Sequence, residues 1–239
     1  MQSVAIWLMP AHYAYPIFTR LITTMSEAAA DNSDAGTPAA DAAQASETHN
    51  KNLTRLKRIG AWHATAISAA LTLWGTANFW AVESGLLLAQ AVALGNAIAA
   101  GTVLASILHE WGHYAGARLA GAHAPVLAKP RRLYFMFDFD MQANSKDQFL
   151  SMSLGGIIAN WAVVLLLLLL IPLTSLAAAL LVAVTIAKAV NVSLFEVPIV
   201  MQVRDGAEPE TALNTRLKEY GLRQTPGWLA GLLAFLALT

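Results

Sequence analysis

Three stretches of 24 or more residues in this sequence hold no Asp, Glu, Lys or Arg: Ile59 to Val82, Gly85 to Leu108, and Leu150 to Ala187. A helix in water needs a polar face, whereas a helix crossing lipid needs about 20 predominantly apolar residues. In hydrocarbon the backbone finds no outside hydrogen-bond partner, so such a run must be helical there. Composition points the same way. Of 239 residues, 56% are hydrophobic and 13% are charged, against about 25% charged in an ordinary soluble domain. The formal net charge is zero, which removes the bulk electrostatic case for nucleic acid as a partner. There is no cysteine, so disulfides and thiolate metal sites are excluded. The expected fold class is an all-α polytopic membrane protein of about four to five transmembrane helices.

The chain divides by composition. Residues 1–25 hold a short apolar run, Val4 to Met9, broken by Pro10 and Pro16, and read as an interfacial or loosely ordered segment. Residues 26–52 are rich in Ala, Ser, Asp, Asn and Thr with no large apolar side chain, and are expected to be a disordered linker. Residues 53–206 form the expected transmembrane core. Its spans are Ile59–Val82, Leu86 to about Ala120, Leu150–Ile171 and Leu176–Val200. Residues 207–239 are a polar segment followed by a short apolar helix from Trp228. Lys51, Arg55, Lys57 and Arg58 precede the first span, and Arg118, Lys129, Arg131, Arg132 and Lys146 surround the connection 121–149. By the positive-inside rule both belong on the cytoplasmic side. Within that connection Leu133, Phe135, Phe137, Phe139 and Met141 alternate with Arg132, Tyr134, Met136, Asp138 and Asp140. A period of two predicts a small membrane-associated β-strand or hairpin, between the second and third spans, with one apolar face.

The second span ends in His109-Glu110-Trp111-Gly112-His113, an H-E-x-x-H motif. Residues four apart share one helix face, so His109 and His113 can offer two imidazole nitrogens to one Zn²⁺ ion. Glu110 lies beside them, placed to take a proton from an activated water. Chance would produce the motif roughly 0.005 times in a chain of this composition, so it is a signal rather than an accident. A catalytic zinc site usually has three protein ligands. The third must reach the cytoplasmic end of the fourth span, where Glu196 and Asp205 stand. Pro198 and Gly206 predict that the helix breaks nearby, which would let the short Asp205 side chain be aimed. Glu196 competes for the same place. It also lies two turns from Lys188, close to one helix face, so the two charges are expected to share a polar seam.

These features resemble the site-2 protease family, zinc metalloproteases that cut within membranes. His109-Glu110-x-x-His113 on an apolar helix carries the resemblance first. Gly155-Gly156-Ile157-Ile158-Ala159-Asn160 is similar to the family's Gly-Pro-x-x-Asn pattern, and Asp205-Gly206 to its Asp-Gly. The strand after the first motif looks like the family's membrane-associated hairpin. The departure is in spacing: the family's Asn-x-x-Pro before Asp-Gly is here Asn191 and Pro198, seven apart. The resemblance covers residues 59–206.

It implies one catalytic Zn²⁺ on His109, His113 and Asp205, Glu110 as general base, and Asn160 hydrogen-bonded to substrate or to the developing oxyanion. Leu133, Phe135, Phe137 and Phe139 would receive an unwound transmembrane protein or peptide substrate by strand addition. The location expected is a lipid bilayer, read as a bacterial inner (plasma) membrane, with the site near the cytoplasmic face. Two other readings stand beside this one: a membrane zincin of another type using Glu196, and a non-catalytic membrane adaptor that keeps the motif.

Overall fold

A computed structural model describes residues 38–131, 134–217 and 225–239. The expectations for residues 1–25, for the first part of the 26–52 stretch and for Leu133 lie outside these. The described chain has six helices and one two-stranded sheet: α1 (Pro38–Ser84), α2 (Leu87–Leu119), β1 (Val126–Arg131), β2 (Phe135–Phe137), α3 (Lys146–Leu170), α4 (Leu176–Arg204), α5 (Pro209–Leu217) and α6 (Thr225–Leu238). Backbone contacts divide it into two units, residues 1–51 and 52–239.

The part of the expected linker that is described, residues 38–52, is helical. Its alanines are the strongest helix formers, proline is well tolerated in a first turn, and Glu47 pairs with Lys51 one turn on at 2.6 Å. A polar composition excludes a buried core, but it does not exclude an exposed helix.

In the second unit α1 turns a stripe inward: Ile59, His63, Ala77 and Ala81 are buried, and Ile67, Ala70 and Trp74 pack beside them. The spacing alternates between three and four residues, as one helix face requires. Trp62, Leu73, Phe79 and Trp80 on the other faces are exposed. α2 buries Ala89, Ala93, Ala97, Ala100 and Leu104 against Val163 and Leu167 of α3 and Leu181 and Val182 of α4. Small side chains here let helices approach closely. α4 is buried almost all round from Ala177 to Ala189 and forms the centre of the bundle. α6 lies against it, with Gly227 at Asn191 and Gly231 at Ala187.

Three helices, α2, α3 and α4, are long and apolar enough to cross a membrane. The sequence suggested a fourth such run at Ile59–Val82, but its Trp, Thr, Gly, His63 and Asn78 residues dilute the apolar character. α6, at 14 residues, is short for a perpendicular crossing.

α2 stops at Gly121, whose φ of +68° suits glycine, and Ala122 N–H returns to the Ala117 carbonyl at 2.9 Å. β1 and β2 pair antiparallel with Val126 opposite Phe137. The strand expected over 132–141 is therefore a hairpin whose second strand is only three residues long. Met136 is fully buried and Phe135 is 38% exposed, the reverse of the expected facing. Phe-Met-Phe is apolar at every position, so alternation alone could not say which face turns inward. Ser145 opens α3 with a capping box, exchanging hydrogen bonds with Gln148.

α4 continues through Pro198 to Arg204. Proline lacks the N–H that would bind the carbonyl four residues back, here Leu194. The Arg216 guanidinium of α5 fills that vacancy, donating from Nη2 to Leu194 O at 2.9 Å.

Candidate metal centre

His109, His113 and Glu196 converge where α2 and α4 lie side by side. The two Nε2 atoms are 2.9 Å apart, and Glu196 Oε1 is 3.2 Å from His109 Nε2 and 3.1 Å from His113 Nε2. Ligand atoms about 2.0–2.1 Å from a tetrahedral ion stand roughly 3.3 Å from each other. The three edges agree with that to within a few tenths of an ångström. Glu196 Oε2 is buried with no hydrogen-bond partner, which is costly for a carboxylate unless a cation faces it. Glu110 is a second carboxylate in the same place, 5% exposed and with no hydrogen bond among the described residues. A dication would offset both charges. The donor set, two imidazoles and a carboxylate with one place open, is that of catalytic zinc.

Two helices and a glycine make this convergence possible. α2 and α3 approach closely at Gly112, Gly116 and Gly155: a Cβ on Gly112 would fall 2.5 Å from the Ala159 Cβ, and one on Gly116 would fall 3.2 Å from Met152 Cα. The next residue of α3, Gly156, sits under the imidazoles. A Cβ there would lie 2.6 Å from His113 Nε2 and 2.7 Å from His109 Cε1. The glycine pair noted in the sequence thus has two separate jobs, helix contact at Gly155 and room for the rings at Gly156. The backbone also orients His113. Its Nδ1 is 2.8 Å from Met152 O, a carbonyl that can only accept, so a proton belongs on Nδ1 and Nε2 is the nitrogen turned to the cluster. Asn160, 2% exposed, lies 3.2 Å from His109 Nδ1 through its amide.

Asp205 is not in the cluster. It caps the end of α4, its side chain is 67% exposed, and its contact is with neighbouring Arg204 at 3.4 Å. Nine residues of helix, about 13 Å, separate it from Glu196. The reason is the unbroken helix: with Leu194 O satisfied by Arg216, Pro198 does not unwind α4 where the sequence suggested it would. Glu196 therefore takes the place expected for Asp205. Lys188 makes no ion pair among the described residues, so the expected seam with Glu196 is not formed.

The expected substrate strand is also more constrained than the sequence suggested. Phe139 lies beyond β2 and stacks edge-on with Phe149, ring centres 6.1 Å apart. Phe137 packs on Tyr114 at 5.5 Å. Phe135 alone of the described three is exposed. The outer edge of β1 is occupied, because Val126 N–H donates to Asn52 Oδ1 at 3.3 Å, Arg55 Nη1 donates to Val126 O at 3.0 Å, and Arg58 donates to Ala128 O. Near the motif, Trp111 Nε1 donates to buried His63 Nδ1 at 3.1 Å.

The fold and site together define a helical bundle with a His-His-Glu cluster and an adjacent free carboxylate. No protein-family model, curated protein or solved structure matches the chain. The resemblance to the site-2 proteases rests on the sequence motifs.

Proposed function

We propose that this chain is a membrane-embedded zinc-dependent endopeptidase that hydrolyses a peptide bond in or near a transmembrane segment of another protein. The observation that carries the reading is the triangle of His109, His113 and Glu196 with Glu110 beside it, on two of the three long apolar helices. His109, His113 and Glu196 would hold the ion. When bound, zinc supplies a Lewis acid for the scissile carbonyl and an acidified water as nucleophile. Glu110 takes the proton of the attacking water and returns it to the leaving amine, which its buried, unpaired carboxylate is free to do. The reading uses Glu196 where the site-2 protease pattern would use Asp205.

The location proposed is a bilayer, read as a bacterial inner membrane, with the centre near the cytoplasmic ends of α2 and α4. A transmembrane substrate keeps its carbonyls in internal hydrogen bonds and must unwind to be cut. With the β1 edge filled by Asn52, Arg55 and Arg58, the edge of β2 at Phe135 is the part of the hairpin left for an unwound segment.

The test is cleavage in liposomes. Full-length protein loaded with zinc is mixed with a panel of fluorogenic single-span peptides. Cleavage by wild type, stopped by chelator and by Glu110→Gln, is the result expected. Cleavage that persists in Glu110→Gln would remove Glu110 from the chemistry, and a zinc-loaded protein that cuts none of the panel would favour the non-catalytic adaptor.

A further inference from the structure

We infer that Asn160 is a positioning residue for the metal centre, holding His109 in the tautomer that leaves Nε2 free to bind an ion. The inference rests on the metal-binding reading above. A ring nitrogen that binds a cation must present its lone pair, so the proton of His109 belongs on Nδ1. That N–H lies in a largely apolar bundle, against buried Asn160, and needs an acceptor. His113 has the Met152 carbonyl for this purpose. The partner given to His109 Nδ1 is the Asn160 amide, at 3.2 Å. As placed, the amide turns Nδ2 to the ring and leaves Oδ1 buried without a hydrogen-bond partner. The two ends of a carboxamide have the same shape, so the chemistry of the partner decides which one faces it. Half a turn about the last side-chain torsion sets the oxygen against the Nδ1 proton and moves the amide nitrogen to the place the oxygen held.

The placement on α3 supports the same role. Ser153, Gly156 and Asn160 lie on its buried stripe, three and four residues apart. Gly156 makes room for both imidazoles, and Asn160 one turn later meets the far nitrogen of one of them. One face of α3 thus sets both the space and the orientation of the ligands, which α2 alone cannot do. Plain interhelical hydrogen bonding, the bland alternative for a buried asparagine, would be indifferent to whether an ion is bound.

Metal affinity of the full chain in detergent, read by Co²⁺ absorption with Zn²⁺ competition, separates the two. Wild type, Asn160→Ala, Asn160→Asp and Glu196→Ala are compared. We expect Asn160→Ala to weaken binding by about 10–100-fold and Asn160→Asp, which keeps an acceptor, to restore it. Equal affinity in wild type and Asn160→Ala would overturn the inference while leaving the metal centre intact. If wild type binds no ion, or binds it no better than Glu196→Ala, the metal reading falls and takes this inference with it. A second measurement needs no variant. In zinc-loaded protein with ¹⁵N-labelled histidine, the His109 proton is expected on Nδ1 and hydrogen-bonded; a proton on Nε2 would overturn the assignment even if Asn160→Ala fails to fold.

Discussion

At the scale of single residues the centre is held by what is absent as much as by what is present. Gly156 has no side chain because the imidazoles of His109 and His113 occupy that space. Gly156→Ala is expected to displace one ring and cost most of the metal affinity, while helicity by circular dichroism stays unchanged; full affinity in the variant would show that the rings can move aside. Glu110 is different in kind, since it contributes no ligand atom to the triangle. Glu110→Gln should retain zinc and lose turnover by about 10²–10⁴-fold, the range for removing a general base, measured on any peptide the wild type cuts. His109, Glu110 and His113 were legible in the sequence because a fixed spacing on a helix puts chemistry on one face. The choice between Glu196 and Asp205 was not, because both lie near the same helix end and only the path of the backbone separates them. The Met152 carbonyl was beyond reach as well, since any residue type can supply a backbone acceptor.

At the scale of elements, the decisive feature is that α4 runs through Pro198. Sequence rules place a break there, and they fail because Arg216 of α5 supplies the missing donor to Leu194 O from 22 residues away. Arg216 is 9% exposed, and Ala212 beside it is buried. Arg216→Met is expected to leave the Leu194 carbonyl unpaired and to destabilise the protein by about 1–3 kcal/mol, read from thermal unfolding in detergent. The same variant should weaken metal binding, since Glu196 lies on the turn that Arg216 supports; an unchanged melting temperature would mean that water serves the carbonyl equally well. The hairpin carries the opposite lesson. Its existence was legible from the period of two, but its facing was not, because Met136 between Phe135 and Phe137 gives no polar side to turn outward. α1 shows a third case, in which alanine content makes a helix of residues 38–52, within the expected linker.

At the scale of the whole molecule, the apolar runs were legible from the absence of charge, and α2, α3 and α4 correspond to three of the four expected spans. If these helices cross a bilayer, the α2–α3 connection and the α3–α4 turn lie on opposite sides. The absence of cysteine makes this directly testable. A single cysteine at Ala143 should react with a membrane-impermeant maleimide only from the side of the metal centre, and one at Thr174 only from the other. Labelling of both from one side would refute the proposed membrane arrangement.

The central claim is that His109, His113 and Glu196 hold a catalytic zinc ion. Zinc content of the purified protein in detergent, after metal is supplied, tests it for wild type, Glu196→Ala and Asp205→Ala. About one zinc per chain is expected in wild type and in Asp205→Ala, the open tetrahedral site needing only three protein ligands, with loss in Glu196→Ala. Zinc lost with Asp205→Ala and kept with Glu196→Ala would contradict the account, as would a wild-type protein that binds none.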